Sequence, residues 1–117
     1  MKTFVLINAV LEIIAGIVFL AMPSLIPGAE DSSVTGITFM RMYGAAALAV
    51  GFYAYQTLQK MDDKDWVSGF LKTFAVFHTG VATASFIGYT NGNDDALAAG
   101  VLHGVLALAT LYFLFKK

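Results

Sequence analysis

The sequence predicts an all-α protein: a four-helix transmembrane bundle, up-down-up-down, with both the N- and C-termini cytoplasmic. Three observations predict it. Apolar residues make up 58% of the chain and charged residues 13%, with a mean hydropathy of +0.73. A soluble domain carries about a quarter charged residues, so this chain has too little polar surface to cover itself in water. The apolar residues are gathered into four runs, 3–22, 34–58, 66–89 and 96–115. Each is long enough, at about 1.5 Å per residue, to cross about 30 Å of hydrocarbon. The lysines, finally, fall on one side of the topology these runs imply. At 117 residues the chain has room for a single transmembrane domain, 1–117.

The first run, Thr3–Met22, is stopped by Pro23 and by Pro27-Gly28, because proline cannot continue the helical ladder and glycine permits a turn. It is not read as a cleaved signal peptide, since Lys2 is a thin basic region and Glu12 interrupts the apolar stretch. The connection Pro23–Thr35 is acidic, with Glu30 and Asp31, and offers Ser32 or Ser33 as N-cap of the second helix. The second run is rich in small residues from Gly44 to Gly51, which let membrane helices approach closely. Tyr53 and Tyr55 near its end suit an interfacial aromatic belt. The strongly polar segment Gln59–Asp65 marks a return to water. Trp66 opens the third run at an interface, with Lys72 able to snorkel back to the headgroups. The tight connection Thr90–Asp95 has turn chemistry and a helix cap at its end.

Four spans put Lys2, Lys60, Lys64, Lys72, Lys116 and Lys117 on one side, which is six of the seven cations. The other side carries Glu30, Asp31, Asp94 and Asp95 in its loops. The positive-inside rule therefore makes the lysine side cytoplasmic, in a multi-pass protein of the plasma (inner) membrane. A net charge of −1 implies no bulk attraction to nucleic acid, and the lack of cysteine excludes disulfides, thiolate metal sites and c-type haem attachment. No P-loop, nucleophile elbow, dinucleotide-binding glycine run or HExxH metal helix is present.

The candidate site residues are the ionisable groups inside the apolar runs: Glu12, Arg41, His78 and His103, with Asn8 beside Glu12. Such residues are costly in lipid and turn toward protein. Counting about 1.5 Å per residue from the outer ends of the spans, Arg41 lies about 10 Å deep, His103 about 12 Å, Glu12 about 15 Å and His78 about 18 Å. Helical phase groups Asn8, Glu12, Ala15 and Phe19 on one stripe and Arg41, Gly44, Ala45 and Leu48 on another. Ala75, His78, Ala82 and Ser85 share a face of the third helix, and Ala99, Gly100, His103 and Ala107 one of the fourth. The expectation is that these residues meet in the interior, with Arg41 and Glu12 as a charge-assisted pair supported by Asn8.

No residue is assigned a catalytic role, and whether the chain is an enzyme stays open. The ion pair reads equally well as a structural lock, and each histidine as a core residue bonded to a backbone carbonyl or a threonine. Haem b between His78 and His103, and a metal held by Glu12, His78 and His103, stand as less favoured alternatives. The haem reading is weakened by the offset in depth, and the metal reading by repulsion from a nearby arginine. No residue is therefore assigned as a metal ligand.

The early polar positions Asn8 and Glu12, a second helix reading Arg41-Met-Tyr-Gly44 with small residues to Gly51, and single histidines in helices three and four resemble the DoxX-like group of small bacterial four-helix membrane proteins. The resemblance covers nearly the whole chain. It implies the same architecture in a bacterial inner membrane, and an association with membrane redox or quinone-linked complexes. The functional expectation is a small integral membrane protein with a buried polar cluster, a non-enzymatic module or a subunit of a membrane complex. Its partners would be the bilayer and either another membrane protein or further copies of itself. The alternative is a site facing the outer leaflet that binds or acts on a small quinone-, lipid- or haem-like ligand through Arg41, Glu12 and the two histidines. Ion conduction ranks last, because the inner halves of the spans are too apolar.

Overall fold

The protein is described by a computed structural model covering residues 1–116. Lys117, counted above among the cytoplasmic cations, lies outside the described residues. The chain is all-helical: α1 (Lys2–Ala21), a single 3-10 turn (Pro23–Leu25), α2 (Val34–Gln59), α3 (Lys64–Thr90) and α4 (Ala96–Phe115). All four long helices are, by length and composition, long and apolar enough to cross a membrane.

The helix ends follow the local chemistry. Pro23 begins the 3-10 turn where α1 stops, and the Met22 amide closes onto the Val18 carbonyl at 2.8 Å. Of the two candidate serines, Ser33 caps α2, its hydroxyl accepting from the Gly36 amide at 3.1 Å. Asp63 caps α3 by accepting from the Trp66 amide at 3.0 Å, so the helix begins at Lys64, ahead of the expected Trp66. Gly92, at φ +94°, turns the chain between α3 and α4, a conformation glycine adopts without steric cost. Asp95 precedes α4 but is itself helical and makes no side-chain cap.

The chain divides into two compact units, one spanning Met1–Asp62 and the other beginning at Asp63. Each is an antiparallel helical hairpin, α1 on α2 and α3 on α4.

In the first hairpin α1 buries Val5, Asn8, Ala9, Glu12 and Gly16, a single stripe at helical spacing. Against it α2 presents Gly44, Ala47, Gly51 and Ala54. Glycine brings the two backbones together here. A β-carbon at Gly44 would stand 2.6 Å from the Leu20 amide nitrogen, and one at Gly51 2.9 Å from that of Ile13. Farther out, Phe19 and Tyr43 pack edge to face at 4.8 Å.

The second hairpin has a bulkier interior. α3 buries Val67, Phe70, Leu71, Phe74, Ala75, His78 and Ala82, and α4 buries Gly100, His103, Leu106, Ala107 and Thr110. The Phe86 ring lies against the flat face of α4 left by Gly100, where a β-carbon would meet it at 3.2 Å. Thr57 and Thr110, both buried, donate to the carbonyls of Tyr53 and Leu106 one turn back, at 2.8 and 2.7 Å, so their hydroxyls are satisfied within their own helices.

Candidate functional site

His78 and His103 come together in the second hairpin. Both are buried, at 0% and 7% exposed, and their Nδ1 atoms are 2.8 Å apart. The helices set this up: His78 lies on the α3 stripe between Ala75 and Ala82, and His103 on the α4 stripe between Gly100 and Ala107. The small neighbours leave room for two imidazoles at the seam. Phe74 and Phe77 wall them in, with centroids 5.0 and 5.3 Å from His78 and Phe77 6.1 Å from His103.

When the two ring nitrogens bond directly to each other, a 2.8 Å approach means that a proton sits between them. Two lone pairs would repel, and so would two N–H groups. One histidine is therefore an Nδ1–H donor and the other accepts at Nδ1. In a pair without net charge, the donor ring keeps a lone pair on Nε2 and the acceptor ring carries its proton there. The sequence reading, with each histidine bonded to a backbone carbonyl or a threonine, does not include this mutual bond.

Haem b does not fit between these residues. Two nitrogens on opposite sides of one metal ion stand about 4 Å apart at metal–nitrogen lengths of about 2 Å, with the porphyrin plane between them. Here the imidazoles touch through Nδ1 with centroids 5.1 Å apart, which leaves no gap for the macrocycle.

In the first hairpin Asn8 and Glu12 share the α1 stripe as expected, and both are buried. The Asn8 amide donates to the Phe4 carbonyl at 2.8 Å, one turn back in the same helix. Glu12 packs by its stem against α2, where a β-carbon at Gly51 would lie 3.1 Å from the Glu12 Cβ.

Arg41 does not join them. It is exposed, and among the described residues no ion pair links it to Glu12. The reason is helical phase. The seam of α2 runs through Gly44, Ala47, Gly51 and Ala54; at 3.6 residues per turn, position 41 lies about 100° from its centre. The expected stripe Arg41, Gly44, Ala45 and Leu48 has a buried Gly44, a half-buried Leu48 and an exposed Ala45.

An open apolar groove of about 560 Å³ runs along α3 and α4, lined among others by Thr79, Thr83, Phe86, Val101, Val105 and Leu108. Neither histidine lines it.

No protein-family model matches the chain, and neither does any curated protein or solved structure. The chemistry therefore rests on the residues themselves: a proton-sharing histidine pair in one hairpin and an Asn–Glu stripe in the other.

Proposed function

We propose that the chain is a multi-pass integral protein of a bacterial inner membrane that acts as a non-enzymatic module or a subunit of a membrane complex. Its spans form an up-down-up-down bundle with both termini in the cytoplasm. The observation that carries this reading is the division of faces. Leu6, Ile7, Val10, Ile14 and Ile17 stand outward on α1, and Val101, Leu102, Val105 and Leu108 on α4, all at least 46% exposed. Asn8, Glu12, His78 and His103 are buried. In water that arrangement is inverted; in lipid it is the stable one. The lysine asymmetry supports the orientation, and the sequence resemblance to the DoxX-like group supports the architecture.

Alkaline carbonate extraction followed by native mass spectrometry of the detergent-solubilised protein tests this function. The expected result is retention in the membrane pellet and a mass above one bare chain, from a partner polypeptide or further copies. Release into the alkaline supernatant, or a bare monomer under conditions that preserve known complexes, counts against it.

The second reading, a role for these polar groups in holding a lipophilic ligand, draws support from the burial of two adjacent imidazoles in an apolar hairpin. Arg41, exposed on α2, drops out of it. A small molecule retained in the same mass spectrum would favour this reading.

A further inference from the structure

We propose that His78 and His103 are nitrogen ligands of one first-row divalent metal ion of the copper or zinc class, bound through both Nδ1 atoms.

The spacing of the two nitrogens is compatible with one ion held by both. At metal–nitrogen lengths of about 2.05 Å, two ligands stand about 2.9 Å apart at a right angle, about 3.3 Å apart in a tetrahedron and about 4.1 Å apart in line. The observed Nδ1 separation is 2.8 Å. By distance alone, a square-planar ion requires almost no opening and a tetrahedral one about half an ångström; turning the Nδ1 lone pairs from each other toward a shared ion takes a rotation of about 35–45° per ring. Linear coordination would require moving the helices.

Ligand chemistry agrees. Imidazole suits copper, nickel and zinc, whereas calcium and magnesium take oxygen ligands. The chain has no cysteine, so thiolate does not compete for a soft ion. Within this hairpin the cation nearest in sequence, Lys72, is exposed, and six residues of helix separate it from His78, about 9 Å along the axis. The Phe74 and Phe77 rings pack edge-on to His78, the kind of apolar surround that supports a ligating ring.

The proton count is the same before and after binding, with solvent as the carrier for the tautomer change. In the ion-free pair one ring carries its proton at Nδ1 and the other at Nε2. When the ion enters, the bridging proton moves to Nε2 of its own ring. Both Nδ1 lone pairs then point at the metal, and each Nε2 is an N–H. The two imidazoles fill half of a four-coordinate shell, and the remaining positions go to other ligands.

The test uses untagged full-length protein in detergent micelles, with Cu²⁺ as the probe. The chain contains two histidines, so ¹⁵N-histidine labelling reports on this pair alone. Binding is expected to saturate at one Cu²⁺ per chain. The paramagnetic resonance spectrum should show coupling to two imidazole nitrogens that changes on ¹⁵N labelling, and excess Zn²⁺ should abolish it. H78L and H103L should each weaken Cu²⁺ binding at least tenfold. Coupling to one imidazole or none in the labelled wild-type protein overturns the proposal. That readout needs no variant, so it decides the question even if a leucine variant fails to fold. Membrane retention and complex mass, the tests of the module reading, do not depend on this result.

Discussion

Gly16 and Gly44 lean on each other's backbones: a β-carbon at either would stand 2.9 Å from the carbonyl oxygen of the other. The Gly16 position would also meet the Leu48 amide nitrogen at 2.7 Å, and the Gly44 position that of Leu20 at 2.6 Å. Backbone atoms cannot swing aside as a side-chain tip can. The α1–α2 seam therefore has no room for even one methyl group at these sites. Close backbone approach of this kind is how helices gain packing energy in lipid.

Gly16→Ala and Gly44→Ala should each destabilise the first hairpin by about 1–3 kcal/mol, the range for overpacking a filled interface. Gly80→Ala is the control. A β-carbon there meets nothing within 4 Å, and the residue lies inside α3. Alanine should stabilise it by up to about 1 kcal/mol through helix propensity. Thermal or denaturant unfolding in detergent reads both signs; equal effects at all three sites would refute the seam.

Arg41→Leu should leave stability unchanged or raise it by up to about 3 kcal/mol, because an exposed guanidinium in a membrane span is costly and leucine is not. The coupling between Arg41→Leu and Glu12→Gln in a double-mutant cycle should be near zero. A buried pair would instead lose about 3–5 kcal/mol on removal of one member. A coupling above about 1 kcal/mol would restore the ion pair expected from sequence.

These contrasts show what was legible in the residues. The α1 and α3 stripes could be read, because Asn8–Glu12 and Ala75–His78–Ala82 stand out against bulky apolar neighbours at helical spacing. The phase of α2 could not. Gly44, Ala45, Ala46, Ala47, Ala49 and Gly51 put small residues on every side of that helix, so composition selects no face, and a stripe drawn through the arginine looked as good as the true one. What decides is the match to Gly16 and Ile13 across the seam, a relation between two helices that neither sequence stretch displays alone. The histidine bond was hidden for a similar reason. Depth counting along separate helices placed the two about 6 Å apart, whereas helix packing and ring orientation bring their Nδ1 atoms to 2.8 Å.

That bond makes a prediction of its own. Side-chain ¹⁵N spectra of the metal-free protein should show one histidine protonated at Nδ1 and the other at Nε2. Two identical tautomers would contradict the shared proton. Exchange faster than the spectral timescale would instead give averaged shifts that separate on cooling.

The energetic counterpart concerns what each ring loses when the other is removed. His78→Leu leaves the Nδ1 of His103 facing a hydrocarbon side chain, and His103→Leu does the same to His78. A buried polar atom stripped of its partner costs about 1–3 kcal/mol. Replacing both removes the polar atoms together, so H78L/H103L should be destabilised by less than the sum of the single variants. The shortfall should be about 0.5–3 kcal/mol, the range for residues in direct contact. The leucine methyl groups would meet the Phe74 and Phe77 rings, already within 5.3 Å of His78, so the double variant keeps an apolar interior. Strict additivity in a denaturant series at matched detergent would mean that the two histidines are stabilised independently, and the hydrogen bond between them would then carry no weight in the hairpin.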